Sequence, residues 1–121
     1  MSAAVLIGIG LLGGAGALGR FLLDGFVSGR AGDRFPWGTL AVNLSGAFAL
    51  GMLAGATVGG DARRLVATGL LGAFTTFSTW MFESHRLAED GDGRLGAVNL
   101  VASLVLGIAA AWLGRRIGAA L

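Results

Sequence analysis

The sequence predicts an all-α membrane protein of four transmembrane helices, and two observations lead to this fold class. Of the 121 residues, 55% are hydrophobic and 13% are charged, whereas soluble domains carry about 25% charged residues. Four stretches contain no charge at all: residues 1–19, 35–60, 65–82 and 95–114. Each is close to the roughly 20 residues that cross a hydrocarbon core about 30 Å thick. No polar stripe of helical period runs along them, so lipid suits their faces better than water.

The four stretches are interpreted as retained spans of one domain, residues 1–121. The first has no basic residue before Arg20 and is apolar for longer than the core of a signal peptide. The second starts near Pro36, a residue that helices tolerate at their first position. Polar links are predicted at residues 24–34, 59–64 and 85–94. We therefore expect a multi-pass protein of the inner (plasma) membrane, in contact with the lipid bilayer.

The basic residues are nine arginines that lie beside the spans and form no run, which does not favour nucleic-acid binding. With four spans, one side of the membrane receives four of them: Arg63, Arg64, Arg115 and Arg116. The other side receives five: Arg20, Arg30, Arg34, Arg86 and Arg94. Orientation follows the bias in this count, and here the bias is very small. We therefore predict insertion in both directions and an antiparallel dual-topology homodimer; the alternative is one orientation set by a few dominant charges.

Uncharged polar residues inside the spans are the functional candidates. Thr39 and Asn43 are four residues apart in span 2 and share a helix face, and Asn99 and Ser103 have the same spacing in span 4. A hydroxyl in a membrane helix commonly bonds to its own preceding carbonyl, but an amide in hydrocarbon is costly without a partner or water. Asn43 and Asn99 are therefore predicted to line a pore or an interface.

Span 3 contains the most irregular stretch of the chain, TTFSTW at residues 75–80, three residues after Gly72. Its hydroxyls compete with the helical hydrogen bonds, so we predict a broken third helix that lines a wet cavity or is buried in protein. Unwound carbonyls there can bind a hard cation. Phe77 and Trp80 are three apart, and their ring edges can attract an anion; packing is the alternative role for these rings.

Three ordered motifs connect the chain to a known family. They are GGAGALGR at residues 13–20, GTLAVNLSGAF at residues 38–48, and GAFTTFSTW at residues 72–80, which is followed by Glu83. Together with the length and the number of spans, they resemble the Fluc fluoride channels, also called the CrcB family. The resemblance covers the whole chain.

The resemblance implies a dual-topology dimer with two antiparallel pores and a structural sodium ion (Na⁺) at its centre. It implies a fluoride path that includes Asn43, Phe77, Trp80 and Ser103. We add Thr39 and Asn99 to the predicted path, because each lies four residues from one of these polar residues. The resemblance further implies an arginine near the pore entrance, Arg20, and backbone carbonyl ligands for sodium at Gly72 and Thr75. Two residues depart from the pattern: Trp80 replaces the usual phenylalanine, and Asn99 a common tyrosine.

These expectations combine into a function: passive, fluoride-selective conduction that exports fluoride. Fluoride is tightly hydrated, and amide and hydroxyl donors can replace its water without a fixed charge that would trap it. The alternative is a small multidrug resistance-type proton-coupled transporter, which needs a carboxylate within the membrane. Span 1 has no acid before Asp24, and Glu83 lies at the end of span 3, so the sequence disfavours it. A scaffold subunit would not explain the in-membrane amides, and without cysteine or an evident metal partner for His85 an enzyme is not expected.

Overall fold

The computed structural model describes residues 2–32 and 34–121, with only the backbone described at Ser78, and every regular element in these ranges is helical. Met1, in the first predicted span, and Asp33, in the first predicted link, lie outside the described residues. Four helical segments are long and apolar enough to cross a membrane. The prediction of a four-span, multi-pass membrane protein is therefore confirmed.

Helix α1 is Ala3–Ala31 and α2 is Trp37–Gly55. Helix α3 covers residues 60–74 and consists of α-helical Gly60–Arg63, π-helical Arg64–Leu71 and a final turn, Gly72–Phe74. Helix α4 is Phe77–Glu89 and α5 is Gly93–Ala120.

All three predicted links are largely helical. Helix α1 continues through most of residues 24–34, and α3 begins inside residues 59–64. Helices α4 and α5 extend into residues 85–94 from its two ends. Charges do not end a helix, because long side chains can extend from it to the headgroups and to water. The links are therefore shorter than the sequence predicted.

Helices α2 and α5 form the most extensive helix pair, and small residues bring them together. Gly51 and Gly55 on α2 face Gly114 and Gly118 on α5, and a Cβ added at any of the four would overlap with a backbone carbonyl oxygen of the other helix. Membrane helices approach this closely only where side chains are missing. The contact holds α2, which carries Asn43, in register with α5, which carries Ser103.

Helix α1 packs against the π-helical part of α3, again through glycine. A Cβ on Gly16 would overlap with the carbonyl of Leu70, and a Cβ on Gly69 would lie 3.1 Å from the carbonyl oxygen of Ile9. By contrast, a Cβ added at Gly10 or Gly14, which have the same four-residue spacing on α1, would meet no neighbour within 4 Å in the described chain.

The outer face of α1 stays open: Leu11 is 72% and Phe21 is 73% exposed. In this chain such a face must be covered by lipid or by another protein surface, since water would solvate it poorly.

Candidate functional site

The site is built around an interruption between α3 and α4. Thr75 (φ −79°, ψ 157°) and Thr76 (φ −147°, ψ 121°) have extended backbones, so the chain leaves the helix after Phe74 and resumes it at Phe77. The Thr76 hydroxyl caps the new helix, because its Oγ1 accepts a hydrogen bond from the Thr79 N–H at 3.2 Å. The polar run of span 3 thus supplies the cap of α4.

Asn43 on α2 satisfies the backbone exposed at this interruption. Its Nδ2 donates to the Thr76 carbonyl oxygen at 2.9 Å, and its Oδ1 accepts from the Thr76 N–H at 2.9 Å. Buried backbone groups need partners of this kind. Each amide NH₂ has two hydrogens, so one Asn43 hydrogen remains for a further acceptor.

The carbonyls of Gly72 and Thr75 lose the donors that a continuous α-helix would direct to them. Those donors are the N–H groups four residues later. The N–H of Thr76 donates instead to Asn43, and that of Thr79 to the Thr76 hydroxyl. Gly72 is exposed on the surface of the single chain. Two carbonyl oxygens in this condition are the hard ligands that a cation prefers, and so fit the sodium site that the resemblance implies.

A groove of about 380 Å³ runs between α2, the interruption, α4 and α5. It is lined by Asn43, Ala47, Leu50, Thr75, Thr76, Phe77, Trp80, Ser103, Leu104, Gly107, Ile108 and Ala111. The Phe77 and Trp80 rings meet edge to face, with centroids 5.6 Å apart and planes at 79°. The groove therefore combines amide and hydroxyl groups with aromatic edges, and none of the lining residues that the structure describes is charged.

Four of the six residues predicted for the pore line this groove: Asn43, Phe77, Trp80 and Ser103. Thr39 does not line it; this residue is 4% exposed, and its hydroxyl donates to the Glu83 carboxylate.

Asn99 does not line the groove either, although it touches two residues that do. Its side chain is 1% exposed; its Nδ2 donates to Ser84 Oγ at 2.7 Å, and its Oδ1 accepts from the Ser103 hydroxyl at 3.3 Å. The Trp80 indole N–H donates to the Asn99 backbone carbonyl at 3.2 Å. Asn99 thus lies behind the two groove residues.

Arg20, predicted near the pore entrance, lies on α1 outside the groove lining. Its Nε is buried and has no hydrogen-bond partner among the described residues. The neighbouring Gly19 would place a Cβ 3.6 Å from the Phe74 ring, so this part of α1 packs next to the end of α3.

The sequence interpretation missed two contributors. Thr76 had been grouped with the other hydroxyls, although its backbone is the partner of Asn43. Ser84 had not been singled out, yet it is 5% exposed and bonded to Asn99. The available signal was its position one helical turn after Trp80, where a serine hydroxyl reaches the preceding carbonyl.

Comparison with known proteins decides the family. The family model described as "CrcB-like protein, Camphor Resistance (CrcB)" matches residues 7–115. The chain belongs to the CrcB/Fluc family. This membership confirms the resemblance inferred from the three motifs.

Relatives in the CrcB/Fluc family are similar along nearly their whole length. "Fluoride-specific ion channel FluC 2" of Mycolicibacterium paratuberculosis is 49% identical over 114 residues, covering 94% of this chain and 93% of the relative. The FluC 2 protein of Mycobacterium bovis is 50% identical over 115 residues, with 95% and 91% covered. FluC 1 of Symbiobacterium thermophilum is 46% identical over 116 residues, with 91% and 94% covered. The family is one of ion channels and not of enzymes.

Proposed function

We propose that this protein is a passive fluoride channel that exports fluoride across the inner (plasma) membrane. The observation that carries the proposal is the groove, in which the described lining has no charged residue and its polar side chains are one amide, that of Asn43, and hydroxyls. Its relatives from Mycolicibacterium paratuberculosis and Mycobacterium bovis are named as fluoride-specific ion channels.

The groove chemistry suits a small, strongly hydrated anion. Asn43 retains one amide hydrogen, and the Phe77 and Trp80 rings can turn their electropositive edges to an ion. Neutral donors replace the water of fluoride without holding it as tightly as a fixed cation would, and conduction requires that the ion also leaves. Passive movement follows, since no residue of the proposed path supplies energy.

We propose further that two copies pair antiparallel and form two pores. The four-against-five arginine count supports both orientations. The groove is open along one side of the single chain, and the apolar outer face of α1 needs cover. A second copy would supply both a wall and a cover.

A structural sodium ion at the centre of this dimer belongs to the same proposal. The carbonyls of Gly72 and Thr75, whose helical donors are directed elsewhere, would hold it, with the same pair from the second copy. When bound, the cation would supply positive charge to four carbonyl oxygens whose helical donors are directed elsewhere.

The proton-coupled transporter is disfavoured by the position of Glu83. This carboxylate accepts from Thr39 and lies outside the groove lining, whereas an exchange mechanism requires the acid to face the transported cation. No observation favours that alternative.

Liposome flux tests the proposed function. Purified protein, as the single component, is reconstituted in liposomes loaded with fluoride or with chloride, and ion-selective electrodes follow efflux after valinomycin is added with potassium as counter-ion. We expect rapid release of fluoride and chloride release no faster than from protein-free liposomes. Equal release of both ions, or of neither, would refute the proposal.

A further inference from the structure

A linear series of side-chain hydrogen bonds connects α5 to α4 behind the groove. The Ser103 hydroxyl donates to Asn99 Oδ1 at 3.3 Å, Asn99 Nδ2 donates to Ser84 Oγ at 2.7 Å, and the Ser84 hydroxyl donates to the Trp80 carbonyl at 2.8 Å. Asn99 and Ser84 are 1% and 5% exposed. All three hydrogen bonds run in the same direction, from Ser103 toward α4.

The direction of these hydrogen bonds determines what the Ser103 hydroxyl, which lines the groove, can offer to an ion there. A serine hydroxyl has one hydrogen and two lone pairs. Because that hydrogen goes to Asn99, only lone pairs of Ser103 remain for the groove, and lone pairs repel an anion. In this arrangement Ser103 cannot serve as a donor to fluoride.

The same side chains can also form their hydrogen bonds in the opposite direction. A half-turn of the Asn99 amide exchanges oxygen and nitrogen at nearly unchanged positions. Asn99 Nδ2 then donates to Ser103, whose hydrogen becomes free to point into the groove, and the Ser84 hydroxyl donates to Asn99 Oδ1. The Trp80 carbonyl retains the helical N–H four residues later, so no buried group loses its last partner.

We propose that Asn99 is a positioning residue whose amide decides whether Ser103 donates a hydrogen bond to an anion in the groove. The inference rests on the proposed fluoride function, and it concerns the regulation of that site. An anion interacts favourably with only one of the two directions, so its arrival shifts the series of hydrogen bonds toward the donor state. Ser84 sustains both states, because its hydroxyl can accept from Asn99 or donate to it.

The emission of Trp80 can distinguish a positioning role of Asn99 from a purely structural role. The Trp80 indole N–H bonds to the backbone carbonyl of Asn99, which survives when the side chain is replaced. With Trp37→Phe and Trp112→Phe as the parent, Trp80 is the remaining tryptophan, and its emission is recorded during fluoride titration together with the concentration dependence of flux.

Asn99→Leu keeps the branched outline and the number of heavy atoms of the side chain but removes both polar ends of the amide. The Ser103 hydroxyl then bonds to the backbone carbonyl one turn earlier in its own helix. We expect Asn99→Leu to leave the fluoride-free emission of Trp80 unchanged and to raise the fluoride concentration at half-effect about tenfold or more, the value of a hydrogen bond to a charged group. Ser103→Ala should do the same. The fluoride concentration at half-effect should be no higher in the double variant than in either single variant, because both substitutions remove the same interaction.

Ser84→Ala is the second variant, since it breaks the series of hydrogen bonds at a residue outside the groove, and it should also raise the half-effect concentration. Ser45→Ala is the matched control: this serine bonds to Ala41 and Val42 carbonyls of its own helix and should leave the titration unchanged. The proposed role of Asn99 would be overturned by an unaltered half-effect concentration in Asn99→Leu or in Ser84→Ala. It would also be overturned if the double variant of Asn99 and Ser103 lost affinity by the sum of the two single effects. If the parent protein itself does not conduct fluoride, the proposed function fails instead.

Discussion

The side-chain amide of Asn43 pairs with the backbone of Thr76 in both directions, with each N···O distance at 2.9 Å. One side chain thereby gives the Thr76 N–H an acceptor in place of the α3 carbonyl and gives the Thr76 carbonyl an additional donor. This relationship connects stability and function, because the same amide lines the groove.

Removing the Asn43 amide is expected to affect both properties. Asn43→Ala leaves the Thr76 N–H and carbonyl without this partner, at a cost of about 1–3 kcal/mol for each group that stays unsatisfied. We expect a lower thermal unfolding temperature in detergent and a reduced fluoride flux, while the protein still runs as a dimer on size exclusion. Ser45→Ala serves as control and should change neither quantity; an Asn43→Ala protein with parental flux would contradict the assignment.

Phe77 and Phe82 form a matched pair on α4, with exposures of 69% and 67%. Only Phe77 lines the groove and meets the Trp80 ring. Phe77→Ala should reduce fluoride flux by about threefold to tenfold, in line with the energy of an aromatic contact, and should leave the dimer intact. Phe82→Ala should retain parental flux, and equal losses in both variants would show that the effect is general packing.

Substitution of Gly72 tests the proposed contact between the two copies of the chain. Within the described chain an added Cβ would meet only the Ala67 carbonyl oxygen, at 3.4 Å, so the single chain tolerates a small side chain there. Gly72→Val should nevertheless weaken the dimer, because its bulk would fall where two interruptions cross. Thr75→Ala should be mild, since the backbone carbonyl remains, and Gly93→Val, at a position without neighbours within 4 Å, is the control.

The readout for these variants is the dimer fraction on size exclusion at several protein concentrations. The parent protein should also dissociate more readily when sodium is replaced by N-methyl-D-glucamine. A dimer that responds neither to Gly72→Val nor to sodium removal would exclude the central sodium site.

Orientation is tested by changing the arginine balance. Glu89→Lys with Asp92→Lys adds two basic residues to the side that already has five arginines, and both positions are exposed. We expect insertion in one direction and loss of fluoride efflux from cells. Co-expression with Asp61→Lys/Ala62→Lys/Ala120→Lys, which gives the other side seven basic residues against five and changes only exposed positions, should restore efflux. Full activity of either biased variant expressed alone would refute the antiparallel dimer.

The sequence by itself determined the membrane class, the four spans and the family. Bilayer thickness imposes a span length, and a charge inside a span is costly. Both constraints are therefore visible in the linear sequence as long stretches without charged residues. The same reasoning identified Asn43, because an amide in hydrocarbon requires a partner. Its partner, Thr76, lies 33 residues away, and no local pattern specifies that pairing.

Only the tertiary structure decided how the polar residues divide between the groove and the layer behind it. Asn99 and Ser103 have the spacing of a shared helix face, but Gly96 lets α5 approach the backbone of Ser84, where an added Cβ would lie 2.8 Å from its carbonyl oxygen. That close approach buries Asn99 against Ser84 and leaves Ser103 on the groove. Helical periodicity places residues on a face, whereas the packing of α5 against α4 determines which of them line the groove.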